Sequence, residues 1–308
     1  PPYCMGMNPK IAIVVLNWNG LEDTLDCLAS LDRFGYDGLN RIVVDNGSDD
    51  GSAELVARRY PGITLIRLPE NRGFTGGINT GIKRALADGA DFICLLNNDT
   101  VVTAGFLEKL LEAAAKNPRA GVLAPRVNYA RDPELVWSQG IAVNRLTGRI
   151  LTPHCGRPVA KAPGRVEDVS AVSGAVMLVP RETFETVGLF DERYFLCFED
   201  VDFCLRVRRT GKQVLVVPQS LVYHKVSVSM GGEGSSAIIY YSTRNQLRAL
   251  NTRLPMPWFW RPQRNLFIMG YTLFFTLITS RTPLGEGLRT WGRGLSDYFR
   301  GVGGMKSR

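Results

Sequence analysis

Metal-binding and thiol chemistry have little to work with in this 308-residue chain. It has two histidines, 154 and 224, and its six cysteines (4, 27, 94, 155, 197, 204) form no C-x-x-C pair. That excludes a structural zinc site of ordinary ligand spacing. Cys94 and Cys204 lie among apolar residues and read as small core hydrophobes, which fits a reducing, cytosolic setting. No uncharged apolar run reaches the ~20 residues of a spanning helix. The nearest, Asn265 to Ser280, is marginal and equally suits a core or interfacial helix. No basic-then-apolar secretory pattern opens the chain; Met7 reads as a natural start, with residues 1–6 an added remnant. Neither Gly-Lys-Ser/Thr nor G-x-G-x-x-G occurs at a strand end, so P-loop and dinucleotide-binding readings fall away.

Charge is present but lopsided. Residues 244–308 hold 11 basic residues against 2 acidic, whereas residues 1–243 hold 26 and 27. With Trp258, Trp260, Tyr271 and Trp291 in the same region, this suits a membrane surface, and no nucleic acid is expected as partner. A basic, amphipathic dimerisation or capping helix would give the same pattern without lipid.

From Ile11 to Leu96 strand and helix signals alternate: strands at 11–16, 41–44, 63–67 and 92–96, helices at 22–33, 52–60 and 76–88. This is the signature of βαβ units and a parallel sheet. Further on, helices are expected near 104–116, 181–188, 198–211 and 240–250, and strands at 122–125, 171–180 and 214–217. Three of the early strands end in polar groups, at Asn17, at Asp45 and at Asn97-Asn98-Asp99. In open α/β sheets ligands sit beyond the carboxyl ends of the strands. A hard cation with oxygen ligands could meet a phosphate there, although Asp99 or Thr100 could equally cap a helix and Asp45 could organise its own turn.

The segment Glu70 to Gly81 follows a strand and opens a helix, where glycines let backbone N–H groups approach an anion. The acidic cluster Glu199-Asp200-Val201-Asp202 sits among aromatic residues, an environment that raises carboxylate pKa values and suits a general base. Asp202 and Arg206 are placed to pair at i and i+4, which leaves Glu199 or Asp200 to face substrate. His224, after Leu221-Val222-Tyr223, is a natural metal ligand at a strand edge, although a lone histidine is more often structural.

Together, Val-Leu-Asn-Trp-Asn-Gly (15–20), Asp-Asn-Gly-Ser (45–48), Asn-Arg-Gly-Phe-Thr-Gly-Gly-Ile-Asn (71–79), Asn-Asn-Asp (97–99), Ser-Gly-Ala (173–175), Phe-Asp-Glu (190–192), Phe-Glu-Asp-Val-Asp (198–202) and Tyr-His (223–224) resemble glycosyltransferase family 2, in particular its bacterial rhamnosyltransferase-like branch. The resemblance covers about residues 10–250. It implies a GT-A fold, in which a Rossmann-like, mostly parallel sheet is flanked by helices over residues 7–250. Residues 251–308 would then form a helical, basic, membrane-associating extension.

The same resemblance implies inverting transfer from a nucleotide sugar, dTDP-rhamnose or another dTDP-, UDP- or GDP-sugar, with Mg2+ or Mn2+. The acceptor would be a saccharide hydroxyl, lipid-linked, at the cytoplasmic face of the bacterial membrane, serving cell-surface polysaccharide assembly, with a homodimer as one form. Asp200 matches the catalytic base. Asn17, Asn19, Asp45, Asn71, Gly73, Asn79 and Asn98 would bind the donor nucleotide. Asp99, Asn97 and His224 would hold the metal, and Trp137, Ser173, Gly174 and Glu199 would line the sugar and acceptor pockets. Asn97 stands where the family's D-x-D motif has its first aspartate, which leaves Asp99 as the one charged ligand of that motif. The processive members' Gln-x-x-Arg-Trp motif is absent, so addition of one or a few sugars is expected. A sugar nucleotidyltransferase or a non-catalytic glycan-binding membrane protein are the competing readings.

Overall fold

The computed structural model describes residues 9–33, 39–226 and 234–306; the remnant expected at 1–6 lies outside them. The apolar run Ile11–Asn17 forms β1, followed by α1 (Leu21–Leu31), β2 (Leu39–Asp45), α2 (Ser52–Arg59), β3 (Thr64–Arg67), α3 (Gly73–Ala87) and β4 (Phe92–Asn97). These four strands run parallel, with β1 between β4 and β2 and with β3 outside β2. Both faces are covered, so successive side chains feed two cores. Ala12 and Val14 meet Ile78 and Ile82 of α3, and Ile11, Ile13 and Val15 meet Cys27, Leu28 and Leu31 of α1.

Helix α3 lies unusually close to the sheet, for a reason visible in its sequence. A Cβ on Gly81 would stand 2.2 Å from Val14 Cγ1, and one on Gly77 2.4 Å from Leu16 Cδ1. Small residues on that face let backbone approach strand.

Next come β5 (Thr100–Val102), α4 (Phe106–Lys116), β6 (Ala120–Tyr129), β7 (Val136–Ser138), the short β8 (Ala142–Val143) and β9 (Ile150–Leu151), and β10 (Glu167–Asp168). After them β11 (Val176–Pro180), α5 (Arg181–Val187), α6 (Glu199–Arg209) and β12 (Gln213–His224) complete the sheet. Strand β11 runs antiparallel to β4 and β6, so the sheet is mixed. The strand expected over 171–180 begins only at Val176, because Ser173-Gly174 leaves the ladder to meet α6. The strand expected at 214–217 instead continues to His224: its pairing with β6 skips Pro218-Gln219-Ser220, then resumes at Leu221. Proline lacks a ladder donor and is tolerated at such a bulge.

Three helices follow, α7 (Ser236–Arg253), α8 (Arg261–Thr279) and α9 (Leu284–Phe299). Helix α7 runs through the expected boundary at 250 and packs on the sheet domain: Leu247 and Leu250 join the same core as Val14 and Phe203. No described helix is long and apolar enough to cross a membrane.

Candidate functional site

The register of the parallel strands brings their polar ends to one edge: Asn17 lies beside Asp45, and Leu16 beside Asn97. Asn17 is buried and every polar atom of its side chain is in use. Its amide donates to Asp45 Oδ1 (2.8 Å) and Ser52 Oγ (2.7 Å), and its Oδ1 accepts from Thr24 Oγ1 (2.8 Å). Asp45 Oδ2 accepts the Ser48 N–H at 3.2 Å, so the carboxylate organises its turn while lining the edge. Asn19, in a left-handed conformation at φ +47°, ties that turn down by accepting the Asp49 N–H. Asn98 faces inward, donating to Thr24 Oγ1 at 3.0 Å and to Asn17 Oδ1.

The glycine-rich turn is assembled in the same way. Asn71 Oδ1 accepts from Gly73 N (2.8 Å) and from the Asn46 amide (3.1 Å). Gly73, at φ +73°, sits where a Cβ would stand 2.5 Å from the Phe195 carbonyl oxygen. Asn79 is buried and clasps Phe190, donating to its carbonyl at 2.9 Å and accepting its N–H at 3.1 Å. Thr75 Oγ1 donates to the Tyr194 carbonyl at 2.6 Å. The expected anion cradle is thus also a dock: α3 carries the 190–195 loop, and through it the acidic cluster, to the sheet edge.

Asp99 lies in the turn between β4 and β5. Because β5 pairs antiparallel with the end of β12, Thr100 stands opposite His224. His224 Nε2 lies 3.0 Å from Asp99 Oδ1, and both residues are buried. Trp137 of β7 covers the imidazole edge-on, ring centroids 4.1 Å apart. His224 Nδ1 is buried with no hydrogen-bond partner among the described residues. The 3.0 Å distance is a direct hydrogen bond between the two side chains; two ligands at about 2.1 Å from one hard cation at right angles would also lie about 3 Å apart. Among the described residues no group of three or more His, Cys, Asp or Glu gathers for a metal. A cation here would therefore take its remaining oxygens from water and substrate phosphates, as Mg2+ commonly does.

The acidic cluster divides its labour. Asp202, fully buried, accepts from Tyr194 Oη (3.0 Å), Arg206 Nε (2.9 Å) and Arg253 Nε (2.6 Å), a structural hub that includes the expected i, i+4 pair. Asp200 Oδ2 accepts the Gly174 N–H at 3.0 Å and Oδ1 the Val201 N–H at 2.7 Å. Burial pushes its pKa up, and these N–H groups oppose the push. Glu199 has only its own backbone N–H to oppose the push. It is buried, its Oε2 has no partner among the described residues, and burial together with the neighbouring Asp200 charge drives its pKa well above the usual carboxylate range. Adjacent carboxyls pushed apart in this way can keep one neutral while the other ionises.

The Gly174-Ala175 segment links the two halves. Gly174 donates to Asp200, and the Ala175 carbonyl accepts the Asn97 N–H at 2.9 Å. Ser173 Oγ accepts the Ala175 N–H at 3.2 Å and shapes that bend.

The turn before α6 is strained: Cys197 and Phe198 both lie at positive φ (+65° and +70°). Such residues cost about 1–3 kcal/mol each and persist only where their surroundings hold them. Asn245 of α7 does so, donating to the Leu196 and Cys197 carbonyls at 2.7 and 3.0 Å. Sequence reasoning did not single out Asn245; the signal was the polar triplet Arg244-Asn245-Gln246, fully buried inside a helix.

Residues 12–161 match the model of glycosyl transferase family 2, and residues 92–285 that of glycosyl transferase family group 2. The chain is 32% identical over 229 residues to an N-acetylglucosaminyl-diphospho-decaprenol L-rhamnosyltransferase of Mycobacterium tuberculosis, covering 68% of this chain and 74% of the relative. It is 27% identical over 247 residues to the dTDP-rhamnosyl transferase RfbF of Shigella flexneri (78% and 79% covered). Among solved structures it is similar to the mannosyltransferase PcManGT of Pyrobaculum calidifontis in complex with GDP-Man and Mn2+ (TM-score 0.59, 16% identity, 94% and 76% covered). It is similar also to GalNAc-T7 with UDP, GalNAc and Mn2+ (TM-score 0.64, 16% identity, 96% and 55% covered).

Proposed function

The chain belongs to glycosyltransferase family 2, as a bacterial rhamnosyltransferase-like member with a GT-A-like fold, and from that premise we propose that it transfers L-rhamnose from dTDP-rhamnose, with inversion, to a hydroxyl of a lipid-linked saccharide. Membership displaces the nucleotidyl-transfer and glycan-binding readings. The observation that carries the mechanism is the Gly174-Ala175 bridge, which ties the Asp200 carboxylate to the Asn97–Asp99 turn through two consecutive backbone groups.

Asp200 accepts the proton of the acceptor hydroxyl as its oxygen bonds to the anomeric carbon; the bond from that carbon to the donor diphosphate breaks on the opposite face, and the nucleoside diphosphate leaves with the electron pair. Asp99 and His224, with Asn97 of the same turn, would hold Mg2+ or Mn2+, and the ion would neutralise charge on the departing diphosphate. Asp45 and the Asn17–Asn19 turn take the nucleoside, and Trp137, beside the metal pair, takes a sugar face. Glu199, buried beside Asp200, lines the sugar and acceptor pockets.

The proposed site of action is the cytoplasmic face of the membrane, with α8 to α9 as the contact. Helix α8 is inside out: the residues it buries are Arg264, Ile268, Thr272 and Thr276, whereas Leu266, Phe267, Phe274, Leu277 and Ile278 are exposed. A water-facing helix shows the reverse pattern. Exposed Trp258, Phe259 and Trp260 precede it, and aromatics of this kind favour the headgroup level.

The test is release of dTDP from dTDP-rhamnose by the purified chain with Mn2+. Turnover should fall about 10²–10⁴-fold in Asp200→Asn, the usual worth of a general base. Asp99→Ala should abolish stimulation by metal. Equal turnover of all nucleotide sugars would sink the donor assignment.

A further inference from the structure

Two cavities meet at Tyr271. The outer one, about 700 Å³, lies between the 147–149 turn and α8, and its walls include Leu266, Phe267, Ile268, Gly270 and Phe274. That volume falls within the ~300–1,000 Å³ of sites that enclose a small organic ligand. The inner one, about 210 Å³, shares Tyr271 and has Phe198, the residue before Glu199-Asp200, in its wall. Its walls are of another kind, with Thr152, Ser242, Thr243, Gln246 and Thr276 among them. Thr243 is buried, and its hydroxyl has no partner among the described residues.

Polarity therefore changes from the inner cavity to the outer one, from hydroxyls and an amide to hydrocarbon at the exposed face of α8. The partition between the cavities is fixed. Gly148, at φ +73°, presses its backbone where a Cβ would stand 2.7 Å from Ile268, and its carbonyl accepts from Gln246 at 2.9 Å.

We propose that the outer cavity is the seat of the acceptor's lipid: the polyprenyl chain lies against the exposed face of α8 and points its head past Tyr271 toward the turn that carries Glu199-Asp200. The proposal rests on the lipid-linked acceptor reading above and adds where the lipid sits. The gradient argues for one amphiphile over its alternatives. A bilayer surface needs no cavity beneath α8, and a peptide would need polar partners for its backbone in the outer cavity.

The test uses the full chain in detergent micelles with farnesyl phosphate carrying a terminal benzophenone. Light should attach the label to peptides containing 147–150 and 263–276. Gly270→Trp fills the outer cavity from a position whose Cβ meets nothing within 4 Å. Labelling should drop at least 10-fold in that variant, with melting temperature and dTDP-rhamnose hydrolysis unchanged. In turnover, KM for a polyprenyl-diphosphate acceptor should rise about 10-fold in Gly270→Trp, while a short-alkyl analogue of the same acceptor is used as before. Label confined to Trp258–Trp260, or undiminished in the variant, overturns the groove. Use of the lipid acceptor without groove labelling overturns the groove and leaves the acceptor reading standing. Groove labelling without preference for the prenyl chain in turnover supports the groove and overturns the acceptor reading.

Discussion

Glu199 and Asp200 are buried neighbours that differ in how many N–H groups they accept, and pH is the variable that tests them. Both pKa values are raised in the folded protein by burial. A raised carboxyl adds stability that is fully present below its unfolded value, about 4.3 for Glu, and lost as pH rises through the folded value. Wild type should therefore lose stability over that window. Glu199→Gln, which cannot ionise, should gain on wild type in melting temperature as pH increases above about 4, by about 1.4 kcal/mol for each unit of upward shift. The acid limb of kcat/KM should lie above the ordinary Asp range, survive in Glu199→Gln, and vanish with activity in Asp200→Asn. Gly81 makes a second prediction at this scale. Gly81→Ala improves helix propensity by about 1 kcal/mol, yet its Cβ collides with Val14 in a closed core, where overpacking costs about 1–3 kcal/mol. The net expectation is a lower denaturation midpoint, measurable by urea unfolding.

At the scale of elements, α7 is the piece that aims the chemistry without touching it. Its Asn245 holds the left-handed Cys197-Phe198 turn, and Arg244 braces the same loop through the Arg193 carbonyl at 3.3 Å. Asn245→Ala should lower kcat while leaving KM for the donor near wild type, with a stability loss of about 1–3 kcal/mol for unsatisfied buried carbonyls; steady-state kinetics and thermal melts would separate the two. This role was hidden in the sequence because the partners lie nearly 50 residues apart and the bonds go to backbone, which has no residue signature. By contrast β1, β2 and β4 were legible, their apolar runs stopping at Asn17, Asp45 and Asn97 as buried parallel strands do. The far reach of β12 to His224 was not legible: Pro218 reads as a terminator, and only pairing with β6 and β5 carries the strand past it. Short β8 and β9 have two residues each, below what alternation can reveal.

Taken whole, the molecule buries polar groups under its C-terminal helices and leaves apolar ones outside. Tyr240 Oη donates to the buried Asp297 of α9 at 2.5 Å, and Trp291 Nε1 donates to Thr272 of α8 at 3.0 Å, so the three helices form one unit. The basic bias and aromatics of residues 244–308 were plain in the sequence; that they ride on α7, and so on the catalytic turn, needed the structure. If this unit meets lipid, Trp258→Ala with Trp260→Ala should reduce sedimentation with anionic vesicles severalfold, more so at high salt, where the basic residues are screened. Activity on a water-soluble acceptor should not change.

The catalytic turn also has a partner very late in the chain. Gly304 donates its N–H to the Arg193 carbonyl at 2.8 Å and bridges to Tyr194, and Arg248 joins Val302 to the same loop. During synthesis the ribosome delivers Asp45, Asp99, Asp200 and His224 first, and the brace only roughly 80 residues later, several seconds at about 5–20 residues per second. A nascent chain thus holds the residues of the proposed site before it holds the brace on the turn that carries Asp200.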